Sequence, residues 1–150
     1  MTFASSSILL SYPIYRISAQ DSNRLAIVCD ETSQRTPFIQ CIEIFDPLGR
    51  TPPNRHNQAT EQFFVLYGRG RAQVGSTYYD LFPGATLVVH PGQPHELWNS
   101  QSPERLYLLT TMVPDEDFSS LIRAGVPAQW DPEDLRILTQ GRGDLSSPVS

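Results

Sequence analysis

Between residues 38 and 111 the apolar positions fall in short β-branched and aromatic runs broken by turn residues, a pattern that predicts strands. Residues 38–45 form the first such run, stopped by Asp46-Pro47-Leu48-Gly49. Residues 61–67 form the next, closed by Gly68-Arg69-Gly70. Residues 71–74 and 77–80 flank Gly75-Ser76, a two-residue hairpin turn. Residues 86–89 and 106–109 complete the set, with Pro91-Gly92-Gln93-Pro94 between them. Short strands at spacings of roughly 8–12 residues predict an all-β sandwich or small barrel.

In the run 61–67, Phe63, Val65 and Tyr67 share a face with Glu61, while Phe64 and Leu66 share the other with Gln62. Both faces are mostly apolar, so both are expected to be covered. One cover is the opposing sheet. The other is the C-terminal helices or a second subunit, which makes a homodimer the expected assembly.

After Pro114 the pattern changes. Asp115-Glu116-Asp117 precedes Phe118-Ser119-Ser120-Leu121-Ile122-Arg123, and Gly125 follows, which describes a short capped helix. A second helix is predicted over 131–138, with Asp131 as N-cap and Pro132 at the first helical position. The expected organisation is one structural domain. It comprises an N-terminal arm with the first strands (1–37), a barrel (38–111), a helical segment (112–140) and a flexible polar tail (141–150).

Composition narrows the chemistry. The chain has 150 residues, near the common size of one domain, and 13 prolines with 9 glycines suit a turn-rich β protein. All 11 basic side chains are arginine, and 16 acids leave a net charge of −5. Without lysine there is no Schiff-base nucleophile, no pyridoxal-phosphate anchor and no P-loop amine. The acidic balance argues against nucleic acid or an anionic membrane as partner. Cys29 and Cys41 fit neither a disulfide framework nor a zinc knuckle and read as thiols of a reducing compartment. Residues 1–13 lack a basic leader, and no run approaches the roughly 18 apolar residues of a membrane span, so a cytoplasmic location is expected.

The three histidines all lie between positions 56 and 95. His56 stands five residues before Glu61, and His90 and His95 bracket the Pro-Gly turn. His56 and Glu61 would face opposite ways on one regular strand, but a bend in the polar stretch 57–60 can bring them together. Two imidazoles and one carboxylate meeting inside a barrel would hold a divalent transition metal and leave coordination positions open. Fe, Mn, Ni, Zn and Cu all suit those donors.

At these residues the sequence resembles the cupin superfamily. That family's first motif carries H-x-H-x3-4-E-x6-G, and here Asn54-Arg55-His56 leads to Glu61 after four residues and Gly68 after six more. Its second motif is G-x5-P-x-G-x2-H-x3-N, matched here by Gly84, Gly92, His95 and Asn99. The resemblance implies a double-stranded β-helix, or jelly-roll, barrel with short C-terminal helices and a metal pocket. It implies His56, Glu61 and His95 as metal ligands. Two positions depart from the family: Asn54 replaces the first histidine, and His90 replaces the proline of the second motif. Asn54 is then a weak fourth ligand through its amide oxygen, with His90 the second-ranked alternative. His90 and Tyr107 are the candidates for proton transfer. The function implied is metal and small-molecule binding. It takes the form either of a dioxygenase, isomerase, decarboxylase or lyase type of enzyme, or of a non-catalytic sensor or binding module.

Overall fold

The computed structural model describes residues 4–140. In chain order the strands are β1 (Ile14–Arg16), β2 (Arg24–Cys29), β3 (Ile39–Phe45), β4 (Thr60–Tyr67), β5 (Gly70–Val74), β6 (Thr77–Leu81), β7 (Thr86–Val89), β8 (His95–Asn99), β9 (Leu106–Val113) and β10 (Val126–Pro127). The helices are α1 (Glu31–Gln34), α2 (Phe118–Arg123) and α3 (Pro132–Leu138). A seven-stranded sheet runs β10-β1-β2-β3-β9-β4-β7, and a three-stranded sheet runs β6-β5-β8. All pairings between these strands are antiparallel. This is the all-β jelly roll with short C-terminal helices that the strand pattern and the motif resemblance predict.

Alternation along the strands decides what fills the barrel. On β4, Glu61, Phe63 and Val65 are buried while Gln62, Phe64 and Leu66 face outward. On β8 the inward set is His95, Leu97 and Asn99. One end of the interior is apolar, packed by Phe45, Phe63, Val65, Leu87, Leu106 and Leu108. Glu43, Glu61 and His95 line a cavity toward the other end. Asn99, the last position of the second motif, is buried and donates to the carbonyls of Phe45, Asp46 and Glu104.

Among the described residues of the single chain, the outward face of β4 stays open. Phe64 and Leu66 are 38% and 37% exposed, and neighbouring Val88 is 44% exposed. The C-terminal helices do not reach them. Ile137 and Leu138 of α3 instead pack with Ile42, Ile44 and Tyr107, on the adjoining part of the same sheet. The predicted polar tail 141–150 lies outside the described residues. Among the described residues, no helix is long and apolar enough to cross a membrane.

One carboxylate fastens α3 to the barrel. Asp134 is fully buried and accepts from Arg24 (2.5 and 2.9 Å), Arg105 (3.1 Å) and the Tyr107 hydroxyl (2.8 Å). It also accepts from the Asp131 backbone N–H, completing a capping box in which Asp131 receives the Asp134 N–H. Removing a carboxylate at this position strands buried Arg24 without its counter-charge. Asp134→Ala is expected to cost about 3–5 kcal/mol in urea unfolding. Glu133→Ala, which removes only a 3.5 Å surface pairing with Arg105, is expected to cost less than about 1 kcal/mol.

Candidate metal centre

The segment before β4 is held against β8. Asn54 N–H donates to the His95 carbonyl (2.9 Å) and His95 N–H returns a bond to the Asn54 carbonyl (2.8 Å). Gly92 N–H donates to the His56 carbonyl (2.7 Å), from a turn that needs the φ of +83° that glycine adopts without strain. The chain bends at Asn57-Gln58 before β4 begins, so His56 faces the same interior as Glu61 despite the odd offset between them. His95 enters by strand parity with Leu97.

These three side chains meet. His56 Nε2 lies 2.5 Å from Glu61 Oε2, and His95 Nε2 lies 3.9 Å from the same oxygen. One ligand atom from each falls within 4.8 Å of the others, and all three residues are buried. Glu61 Oε2 is buried, and apart from these two imidazole nitrogens it meets no hydrogen-bond donor among the described residues. A divalent cation between the oxygen and the two nitrogens would satisfy all three. The donor set, two nitrogens and one oxygen, fits a transition metal with positions left open. His95 is already oriented for such a role, because its Nδ1 donates to the Gln93 carbonyl (3.0 Å) and leaves Nε2 facing Glu61.

The other sequence candidates fall elsewhere. Asn54 borders the centre, but its side-chain oxygen accepts the Arg55 N–H (2.8 Å) and its amide nitrogen lies 3.4 Å from His56 Nε2. His90 is exposed on the turn after β7 and stands outside the cluster. Tyr107 points to the opposite side of the sheet, where burial and its bond to Asp134 push its hydroxyl pKa above the ordinary tyrosine range. The structure brings neither of these two proton-transfer candidates to the site.

A cavity of about 220 Å³ adjoins the cluster. Glu43, Glu61 and His95 line it together with apolar Ile17, Leu25, Phe118 and Leu121. Sequence reasoning missed Glu43, although one acid inside the apolar run 38–45 was the available signal. Burial first, then the charge of Glu61, pushes the Glu43 carboxyl up to about 8. Close to Glu61, His56 is held above the usual histidine range; burial opposes this and Glu116 adds to it. Among the described residues, Arg50 is the one arginine lining the cavity, and it is engaged by Glu96 and stacked over the Trp98 ring.

The sequence model of a family described as "Cupin domain" matches residues 41–112. Auxin-binding protein 4 of Zea mays is 32% identical over 77 residues, which are 45% of this chain and 37% of that protein. The match therefore spans little more than a third of that relative's length. Among solved structures, a cupin 2 conserved barrel domain protein from Rhodopseudomonas palustris superposes with a TM-score of 0.60 at 16% identity, covering 87% of this chain and 85% of that one. A predicted oxalate decarboxylase from Thermotoga maritima gives a TM-score of 0.62 at 13% identity, over 73% of this chain and 99% of that one. At these identities the likeness to solved structures is one of fold.

Glu43 carries a pH signature. Its folded pKa of about 8 lies above the ordinary 4.5, so the folded state holds a proton that the unfolded state releases. The metal-free protein should therefore lose stability as pH rises from about 4.5 to about 8, and no further from this group above that. Glu43→Gln removes the effect and should unfold a few degrees higher than the unaltered chain at pH 8, with the two converging near pH 5. Parallel melting curves for the two proteins across that range would exclude a proton on Glu43.

Proposed function

This chain belongs to the cupin superfamily, and from that premise we propose that it holds a divalent transition metal through His56, Glu61 and His95 and takes a small organic molecule in the adjoining cavity. The observation that carries the reading is the convergence of the buried Glu61 oxygen and two imidazole nitrogens, one ligand atom from each within 4.8 Å of the others. When bound, the metal would supply Lewis-acid or redox chemistry at its open positions. Around it, Leu25, Ile17, Phe118 and Leu121 shed water from the ligand. In the metal-free protein Glu43 presents to the cavity a carboxyl pushed up to about 8, a group able to hold a proton and donate it to a ligand oxygen. Two free thiols, Cys29 and Cys41, suit a reducing compartment such as the cytoplasm.

Glu43 favours an enzyme of the dioxygenase, isomerase, decarboxylase or lyase type, because it is a proton-bearing group in the cavity that does not join the ligand cluster. The non-catalytic reading, a binding or sensor module, draws on the maize relative, whose name says that it binds auxin. An acidic ligand of that kind would find the Arg50 guanidinium already engaged, so its charge would be met by the metal.

Elemental analysis of protein purified without added metal, then incubated with Fe, Mn, Ni or Zn, should find about one equivalent bound. His95→Ala and Glu61→Gln should each bring this to the background level. Less than about 0.1 equivalent in the unaltered protein after incubation would sink the reading.

The same proposal extends to assembly. Phe64, Leu66 and Val88 form an exposed apolar row on the large sheet, which a second copy of the chain would bury. Light scattering after size exclusion should give a dimer, and Phe64→Glu should give a monomer. A monomer from the unaltered chain at high micromolar concentration would refute it.

A further inference from the structure

We infer that Glu116 is a positioning residue for the metal centre: from the segment that enters α2, its carboxylate clamps the loop bearing His56 and faces that imidazole's outer nitrogen. The inference rests on the proposal that His56 is a metal ligand. Glu116 accepts the Gln58 N–H (2.5 Å) and the Asn57 N–H (3.2 Å), the two residues at the bend between His56 and β4. Its Oε2 lies 3.6 Å from His56 Nδ1, while His56 Nε2 lies 2.5 Å from Glu61 on the other side. The ring therefore stands between two carboxylates, one at each nitrogen. A metal on Nε2 needs that lone pair free, which places the proton on Nδ1, toward Glu116.

His95 has the same arrangement with a different acceptor, since its Nδ1 donates to the Gln93 carbonyl. Each inward nitrogen thus has an outward partner that sets the ring. The backbone at Glu116 is held against its preference. Glu116 and Asp117 both have left-handed φ values, +53° and +65°, a region that L side chains rarely adopt. Asp115 holds this segment by accepting the Ser119 N–H (2.8 Å), and Asp117 accepts the Leu121 N–H at its carbonyl (3.0 Å). Strained backbone of this kind persists where the surroundings fix it, often beside a working site. The same segment delivers Phe118 and Leu121 to the cavity wall, so the wall and the ligand ring share one support.

The test titrates Co(II) into the metal-free unaltered protein, Glu116→Ala and Glu116→Gln, following heat and the visible spectrum. Glu116→Ala should weaken binding by roughly 10–100-fold. Glu116→Gln keeps an acceptor oxygen and should recover most of the affinity. In the Co(II)-loaded protein, the paramagnetically shifted His56 Nδ1–H should be seen with the unaltered chain and Glu116→Gln, and lost to solvent exchange in Glu116→Ala. The His95 Nδ1–H, held by the Gln93 carbonyl, should persist in all three and show that the alanine variant is folded. Equal affinity, with the His56 signal retained in Glu116→Ala, overturns the role of Glu116 alone. No uptake by the unaltered protein overturns the metal reading and this inference with it.

Discussion

A strand that carries Glu61, Phe63 and Val65 on one face cannot slip by one residue without exposing two core side chains and the carboxylate together. The register of β4 is pinned on both sides, by β9 (Phe63 opposite Thr110, Val65 opposite Leu108) and by β7 (Phe63 opposite Leu87). The hydrophobic effect that fixes Phe63 and Val65 in the barrel therefore also fixes Glu61. The same holds on β8, where buried Leu97 lies two residues from His95. Packing of the apolar end supplies the precision of the polar end. The site is an extension of the core, at the place where the core runs out of apolar residues.

That arrangement concentrates negative charge where water is scarce. Glu43 and Glu61 both face the interior, and the Arg50 guanidinium is taken by Glu96. Burial and the neighbouring Glu61 charge push the Glu43 carboxyl up to about 8. A divalent cation on Glu61 would offset that negative charge, and would also replace the lysine this chain lacks as the source of electrophilic chemistry.

The barrel was legible in sequence because it depends on local spacing, and the three-residue cluster because its motifs resemble those of the cupin family. Strand alternation, the Pro-Gly turn before His95 and the capping box of α3 need no knowledge of distant residues. Other features were hidden for identifiable reasons. Strand β2 places Arg24, Leu25, Ala26 and Ile27 all in buried positions, so it lacks the alternation that marks a half-exposed strand. Tyr107 sat beside the expected ligands in sequence, yet the parity of β9 turns it outward to Asp134. Glu116 meets the His56 loop across 58 to 60 residues of chain and looked like helix N-terminal charge. The apolar outer face of β4 was legible, but not that α3 would pack elsewhere, because surface patterning does not say where a helix will dock.

The division between local and distant information bears on specificity. The family match stops at residue 112 and begins at residue 41, so it contains the cluster but not the whole cavity. Ile17 and Leu25 come from the N-terminal strands, and Phe118 and Leu121 come from α2. Strand β2 of the first flank pairs directly with β3 of the barrel. Asp30, which ends β2, accepts from Ser119 and Arg123 of α2, so the two flanks are also tied to each other. A cavity built this way can change its ligand through substitutions at Ile17, Leu25, Phe118 or Leu121 while the register that places His56, Glu61 and His95 stays intact. The candidate metal ligands and part of the apolar cavity wall come from different stretches of the chain, and the Asp30 contacts tie the wall segments together.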